Sequence, residues 1–139
     1  MATSARVEAW KSAWESRDPA TVAALYAPDA THESAVIKEI YPELGRLVLR
    51  GRHEIAVYAR RGLGRFSELR FEIITVTESG NRAAVEYRRH SKIAEPSPAD
   101  RQAAGPLSRE RTGEVRHVLE LIEWRGDLIG AVRVFHFDG

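Results

Sequence analysis

The chain has 139 residues, a net charge of +1, and 43% hydrophobic against 29% charged residues, which suits one globular domain with one core spanning residues 1–139. The balanced charge gives no global case for a nucleic-acid partner, and the lack of cysteine excludes disulfides and thiolate metal sites. No apolar run approaches the roughly 18–20 residues of a membrane helix. The opening stretch MATSARVEAWKSAWESRD lacks the apolar core of a secretory signal, so the expected address is cytoplasmic, with no membrane partner.

In chain order, Val7, Trp10 and Trp14 recur at helical spacing and predict a helix over roughly residues 3–16. Asp18 is a good N-cap, and Pro19 fits the first position of a second helix. Val22, Leu25 and Tyr26 form the stripe of that helix, which is expected to end at Pro28. ATHESAVI then reads as a short strand, and KEIYPELGRLVLRG as a connection with strand at its end. RHEIAVYARRG is helical again, with Ile55, Tyr58 and Ala59 on one face and Gly62 at the C′ position. The seven arginines from Arg46 to Arg70 face only Glu54 and Glu68 in their span. They read first as a solvated face and second as an anion-binding surface if they cluster.

The second half reads as sheet. Leu69, Phe71 and Ile73 alternate, ESGN turns, and RAAVEYRRHSKI alternates again, a hairpin pattern. AEPSPADRQAAGPLS reads as a long loop. GEVRHVLELIEW, a turn at RGD and LIGAVRVFHFD form a second hairpin. Helices first and antiparallel strands after them make an α+β fold.

Three segments in this order, WESRDPATVAALYAPDATHES, LRGRHEIAVYARRG and VLELIEWRGDLIGAVRVFHFD, resemble the NTF2-like superfamily, in particular its SnoaL-like and ketosteroid isomerase-like domains. The resemblance implies a cone-shaped, cystatin-like fold with three N-terminal helices packed on a curved, mostly antiparallel sheet. It also implies a deep pocket for a small apolar or aromatic molecule, a homodimer packed through the sheet, and no cofactor. Function varies widely within this fold, so the resemblance supplies a pocket rather than a reaction.

Strand alternation combined with the resemblance projects His32, Glu120 and His136 into the pocket as candidate acid/base groups. Trp10, Trp14, Tyr26, Ser34, Tyr58, Val118, Ile122, Trp124, Val132 and Val134 are the expected substrate-contacting wall. Laid against the isomerase pattern, Ser34 stands where that family has its general-base aspartate. Glu120 stands at the protonated oxyanion-hole aspartate, and Trp10 at the oxyanion-hole tyrosine. A serine cannot move a proton between carbons as a carboxylate does, so ketosteroid isomerase activity is disfavoured. Epoxide hydrolase activity is disfavoured too, because its last-strand aspartate becomes Arg133 and AAVEYRRHSKI holds no Arg-x-Asp pair. What remains is an isomerase, cyclase or dehydratase type of acid/base catalyst. The alternative is a non-catalytic ligand-binding or association module, in which Glu120 pairs with Arg116 or Arg133. No metal is expected, since neither HESAV nor HEIAV reaches the second histidine of a zinc helix. Glu33 is expected to turn away from His32 and Ser34.

Overall fold

A computed structural model describes residues 3–94 and 113–137. Helix α1 (Ala5–Glu15) starts at Ser4, whose hydroxyl accepts from the Val7 amide at 3.3 Å and caps the first turn. Val7, Trp10 and Ala13 are its buried stripe. Helix α2 (Pro19–Ala24) has the expected Asp18 cap and first-turn proline. Strand β1 (Tyr26–Ser34) follows directly, then helix α3 (Ile37–Ile40), a 3-10 turn (Pro42–Leu44) and strand β2 (Val48–Arg50). Helix α4 (Gly51–Leu63) precedes the long strands β3 (Phe66–Ser79), β4 (Arg82–Ile93), β5 (Gly113–Arg125) and β6 (Leu128–His136).

The six strands form one sheet in the order β2-β1-β6-β5-β4-β3. The β1–β6 pair is parallel, and the other four pairings are antiparallel. The expected cone-shaped, curved sheet is corrected here. The sheet is an open mixed layer, neither closed nor strongly curled, with β2 and β3 as its two edges. Closure needs the edge strands to reach one another, and β2 has only three residues with which to pair.

Two boundaries also differ from the sequence expectation. The second helix stops at Ala24, and Tyr26 opens β1 rather than extending the helix to Pro28. Pro28 is accommodated because the β1–β6 register shifts between Tyr26 and Thr31, where a missing amide interrupts no regular ladder. Gly62 lies inside α4, which runs on to bury Leu63, and Gly64 is the cap. Both expected hairpins are present, turning at Gly80 (φ 59°) and Gly126 (φ 61°). The expected 94–113 loop falls largely outside the described residues.

The helices cover the sheet face that presents Val85, Tyr87, Val118, Glu120 and Ile122, and these side chains share one core with Val7, Trp10, Val22 and Ile55. The arginine-rich segment does not gather into one surface. Arg46 pairs with Glu54 at 2.7 Å, Arg61 with Glu43 at 2.8 Å, and Arg52 donates to the Tyr26 carbonyl at 2.7 Å. Among the described residues no helix is long and apolar enough to cross a membrane.

The junction of β2 and α4 depends on one glycine. Gly51 has φ 83°, and a Cβ there would stand 3.3 Å from the Pro28 carbonyl oxygen. Gly51→Ala is expected to cost about 1–2 kcal/mol from the left-handed backbone alone. Gly80→Asn, at an open left-handed turn, is expected to cost well under that. Thermal denaturation of both variants checks the difference, and equal melting temperatures would contradict it.

Candidate functional site

The inner sheet face and the helices enclose a cavity of about 60 Å³. Trp14 reaches it from α1, His32 and Ser34 from β1, Tyr58 from α4, Leu69 and Phe71 from β3, Tyr87 and Arg89 from β4, Glu120 from β5, and Val134 and His136 from β6. Six of its residues, Val36, Arg65, Phe66, Arg89, Val134 and His136, also line an outer basin of about 650 Å³. They form a neck between the inner chamber and a wider vestibule.

Among the described residues Glu120 is the only carboxylate lining the inner chamber, and it is 5% exposed. Register places it there: on β5, Val118, Glu120, Ile122 and Trp124 point the same way, and Glu120 faces Val85 on β4 and Val134 on β6. The Tyr87 hydroxyl donates to its Oε1 at 2.6 Å, and the Trp10 indole N–H donates to its Oε2 at 3.1 Å. Burial raises its pKa to about 7, even though Tyr87, Trp10 and the Arg89 charge each pull the other way. Desolvation is the dominant cause, so Glu120 exchanges its proton near neutrality. Tyr87 is itself held protonated by burial and by the Glu120 charge. Its ring stacks on Phe71 at 4.5 Å and meets Trp10 edge-on at 5.4 Å, which fixes the donor.

His32 is 3% exposed, and burial lowers its pKa to about 4. Its Nδ1 lies 3.1 Å from the Tyr26 hydroxyl. Burial raises the Tyr26 pKa, so the phenol keeps its proton; with it as donor, His32 carries its own on Nε2. The ring packs against Tyr58 at 5.5 Å and Trp14 at 6.3 Å. His32 is thus a neutral imidazole at pH 7, and a weak base. Ser34, 2% exposed, caps the following turn by accepting from the Val36 amide at 3.2 Å.

Of the residues expected at the site, His32, Ser34, Glu120, His136, Trp14, Tyr58 and Val134 line the inner chamber. Trp10, Tyr26, Val118, Ile122, Trp124 and Val132 are buried behind it in the core and do not line it. Helix α1 closes that end of the inner face, with the Arg6 guanidinium 4.4 Å from the Trp124 ring. His32 and Glu120 do not hydrogen-bond to each other, because Tyr26 engages one while Tyr87 and Trp10 engage the other. The alternative pairing of Glu120 with Arg116 or Arg133 is not formed either: Arg116 bonds Glu114, and Arg133 bonds Glu33 at 3.1 Å on the exposed side of the sheet. Glu33 turns outward as expected.

Three polar side chains of the lining escaped the sequence reading: Tyr87, Arg89 and Arg65. The period-two pattern Ala83, Val85, Tyr87 carried a signal, since its next inward position is Arg89, an arginine where an apolar residue is usual. Arg65 sits just past the end of α4 and carried no comparable signal. Among the described residues no three His, Asp or Glu side chains come together as a metal would require.

The two shifted groups move in opposite directions for one reason, and the signs can be worked out. Glu120 keeps a proton in the folded chain up to about pH 7 that the unfolded chain loses near 4.5, so its contribution to stability falls as pH rises through that window. His32 stays neutral down to about pH 4, whereas the unfolded chain protonates near 6.5, so its contribution is lost as pH falls through that window. Where the windows overlap, the slopes oppose at about 1.4 kcal/mol per pH unit each. Urea denaturation between about pH 4.5 and 6.5 is expected to show Glu120→Gln gaining stability with pH relative to the parent chain. His32→Gln is expected to lose it. Parallel curves for all three would contradict both assignments.

A SnoaL-like domain model matches residues 7–129. No curated protein matches the chain. Among solved structures, a hypothetical protein of ketosteroid isomerase-like fold from Catenulispora acidiphila, in complex with trimethylamine, aligns with TM-score 0.72 at 19% identity, covering 96% of this chain and 86% of that one. A SnoaL-like protein of unknown function from Burkholderia thailandensis aligns with TM-score 0.67 at 21% identity over 98% of each chain. An LEH-like epoxide hydrolase from M. tuberculosis aligns with TM-score 0.64 at 22% identity, covering 94% of this chain and 79% of that one.

Proposed function

The chain belongs to the SnoaL-like domain family, and from that premise we propose that it is a small-molecule acid/base enzyme of the isomerase, cyclase or dehydratase type, working without a cofactor. The carrying observation is Glu120, a carboxyl buried at a cavity wall with its pKa raised to about 7. A group poised near the working pH gives and takes a proton with little penalty in either direction. In this reading Glu120 removes a proton from a substrate seated in the inner chamber, or delivers one. Tyr87 and Trp10 donate to its anion and hold the carboxyl in place. Each carboxylate oxygen keeps a lone pair beyond the bond it already accepts, so a substrate atom can still be engaged. Tyr58, whose phenol burial keeps protonated, is a further donor at the cavity wall. His32, neutral at pH 7, orients and hydrogen-bonds rather than serving as the main base, and His136 at the neck meets the substrate as it enters.

Asp–Arg–Asp hydrolysis of an epoxide remains disfavoured, because among the described residues no aspartate lines the inner chamber. The isomerase pattern is also incomplete: Ser34 still stands in the place of the base. A second reading is a non-catalytic ligand-binding module in the cytoplasm. It is favoured by the engagement of both Glu120 oxygens and of the His32 Nδ1 by protein donors. A homodimer through the sheet would use the outer face around Ala84, Leu121 and Ala131, and sedimentation velocity reads it directly.

Glu120→Gln, isosteric but unable to carry the proton, is expected to lower turnover of a substrate found by screening small ketones and polyketide-like aromatics by about 100-fold or more, with binding retained. Tyr87→Phe removes a donor to the anion and is expected to raise the Glu120 pKa by about one unit, read by NMR titration of the side-chain carboxyl. Full turnover in Glu120→Gln would overturn the role of Glu120, and binding without turnover in the parent chain would leave the binding-module reading.

A further inference from the structure

At the neck, Arg65 and Arg89 flank the same opening, and among the described residues neither forms a close ion pair. Arg89 extends the inward row of β4 past Tyr87, and its side chain is only 18% exposed. Its Nε is buried and finds no hydrogen-bond partner among the described residues. Its contact with Glu114 is long, 3.9 Å, and that carboxylate is already bonded by Arg116. Arg65 uses its Nε on the Gly62 carbonyl at 3.2 Å. Burial and the neighbouring Arg89 charge disfavour its protonated form. The two guanidiniums flank one ring, Phe66, at 5.0 and 5.4 Å, which holds them at the same opening. Among the described residues around the vestibule, Lys38, Arg65, Arg89 and Arg116 outnumber Glu39 and Glu114, four cations to two anions.

Two like charges are gathered at the neck, and the less exposed of them, Arg89, carries an orphaned donor. An arrangement of this kind is completed by an anion. We propose that Arg65 and Arg89 form a clamp for the carboxylate of the ligand, so that the natural ligand is a small apolar or aromatic carboxylate. It lies with its charged end at the neck and its apolar, reacting end in the inner chamber beside Glu120.

This deepens the proposed function and rests on it only for the identity of the reacting end. The dimensions agree. The chamber, about 60 Å³, takes a ligand head and not a whole molecule, and the rest extends through the neck into the vestibule. The clamp also gives orientation, because a carboxylate held by a guanidinium fork points the far end of the ligand inward. Trimethylamine, bound by a structural relative, is the opposite case: a cation would meet like charge at this neck.

The test is equilibrium binding, followed through the Trp14 indole N–H signal, with benzoate, benzamide and trimethylammonium as probes. Benzoate and benzamide share a shape and differ in charge. Benzoate is expected to bind about tenfold or more tighter than benzamide, with trimethylammonium weakest. Arg65→Gln/Arg89→Gln is expected to bring benzoate down to the benzamide level while changing benzamide by less than about twofold. Arg65→Lys/Arg89→Lys, which keeps the charge and loses the fork, is expected to fall between. The single variant Arg65→Gln, remote from the core, is expected to lose part of the preference if the double variant fails to fold. Benzamide or trimethylammonium binding as well as benzoate, failure of benzoate to saturate, or an unchanged preference in the arginine variants would each overturn the clamp. No turnover enters this readout, so its failure leaves the proton-transfer role of Glu120 to be decided by the activity of Glu120→Gln.

Discussion

The structure turns on a carboxyl in the wrong place. Glu120 occupies the inner face of a central strand, between Val118 and Ile122, where an apolar side chain would cost nothing to desolvate. Everything around it limits that cost. Helix α1 lies across the sheet so that the Trp10 indole meets one oxygen, and the β4 register brings the Tyr87 hydroxyl to the other. Phe71 and Trp10 then fix the Tyr87 ring, tying β3 and α1 to the same group. These donors do not outweigh burial, so the carboxyl is held at the edge of ionisation and is not locked into one state.

Burial at one chamber pushes Glu120 and His32 apart. Desolvation disfavours charge, which raises the carboxyl of Glu120 and lowers the imidazolium of His32. The carboxyl comes to titrate near neutrality while the imidazole leaves that range. A residue type normally suited to proton transfer at neutral pH becomes a fixed polar wall, and one normally ionised becomes the exchangeable group. Tyr58 at the wall and Tyr26 behind it are phenols held in their protonated form.

Charge is sorted along the depth of the cavity. Glu120 lies inside, the guanidiniums of Arg65 and Arg89 lie at the neck, and Arg46, Arg52 and Arg61 of the middle segment are held elsewhere by Glu54, a backbone carbonyl and Glu43. The arginine count of that segment was visible in the chain, but which arginine faces a cavity was not. Arg65 is placed by the exit of α4, and Arg89 comes from another element altogether. Long-range register, rather than local composition, selects the pair.

Local patterns were enough for much of the fold. Capping residues and helical spacing located α1 and α2, alternation located the two hairpins, and their order carried the SnoaL-like resemblance. Alternation also assigned His32 and Ser34 to one face, because a strand side chain has only two directions available, and the resemblance turned Glu120 toward the same pocket. The sequence misled where local and tertiary preferences disagree. Tyr26 fits a helical stripe but belongs to β1, where it pairs across to Ile129 and is fully buried, and Pro28 is tolerated by a register shift no local rule foresees. The openness of the sheet depends on how far apart its edge strands lie, which no segment encodes alone. The partners of Glu120 come from positions 110 and 33 residues away along the chain. Residue type and face were therefore set by the sequence itself. Proton affinity, hydrogen-bond partner and depth in the cavity were decided only when the helices closed over the sheet and removed the water.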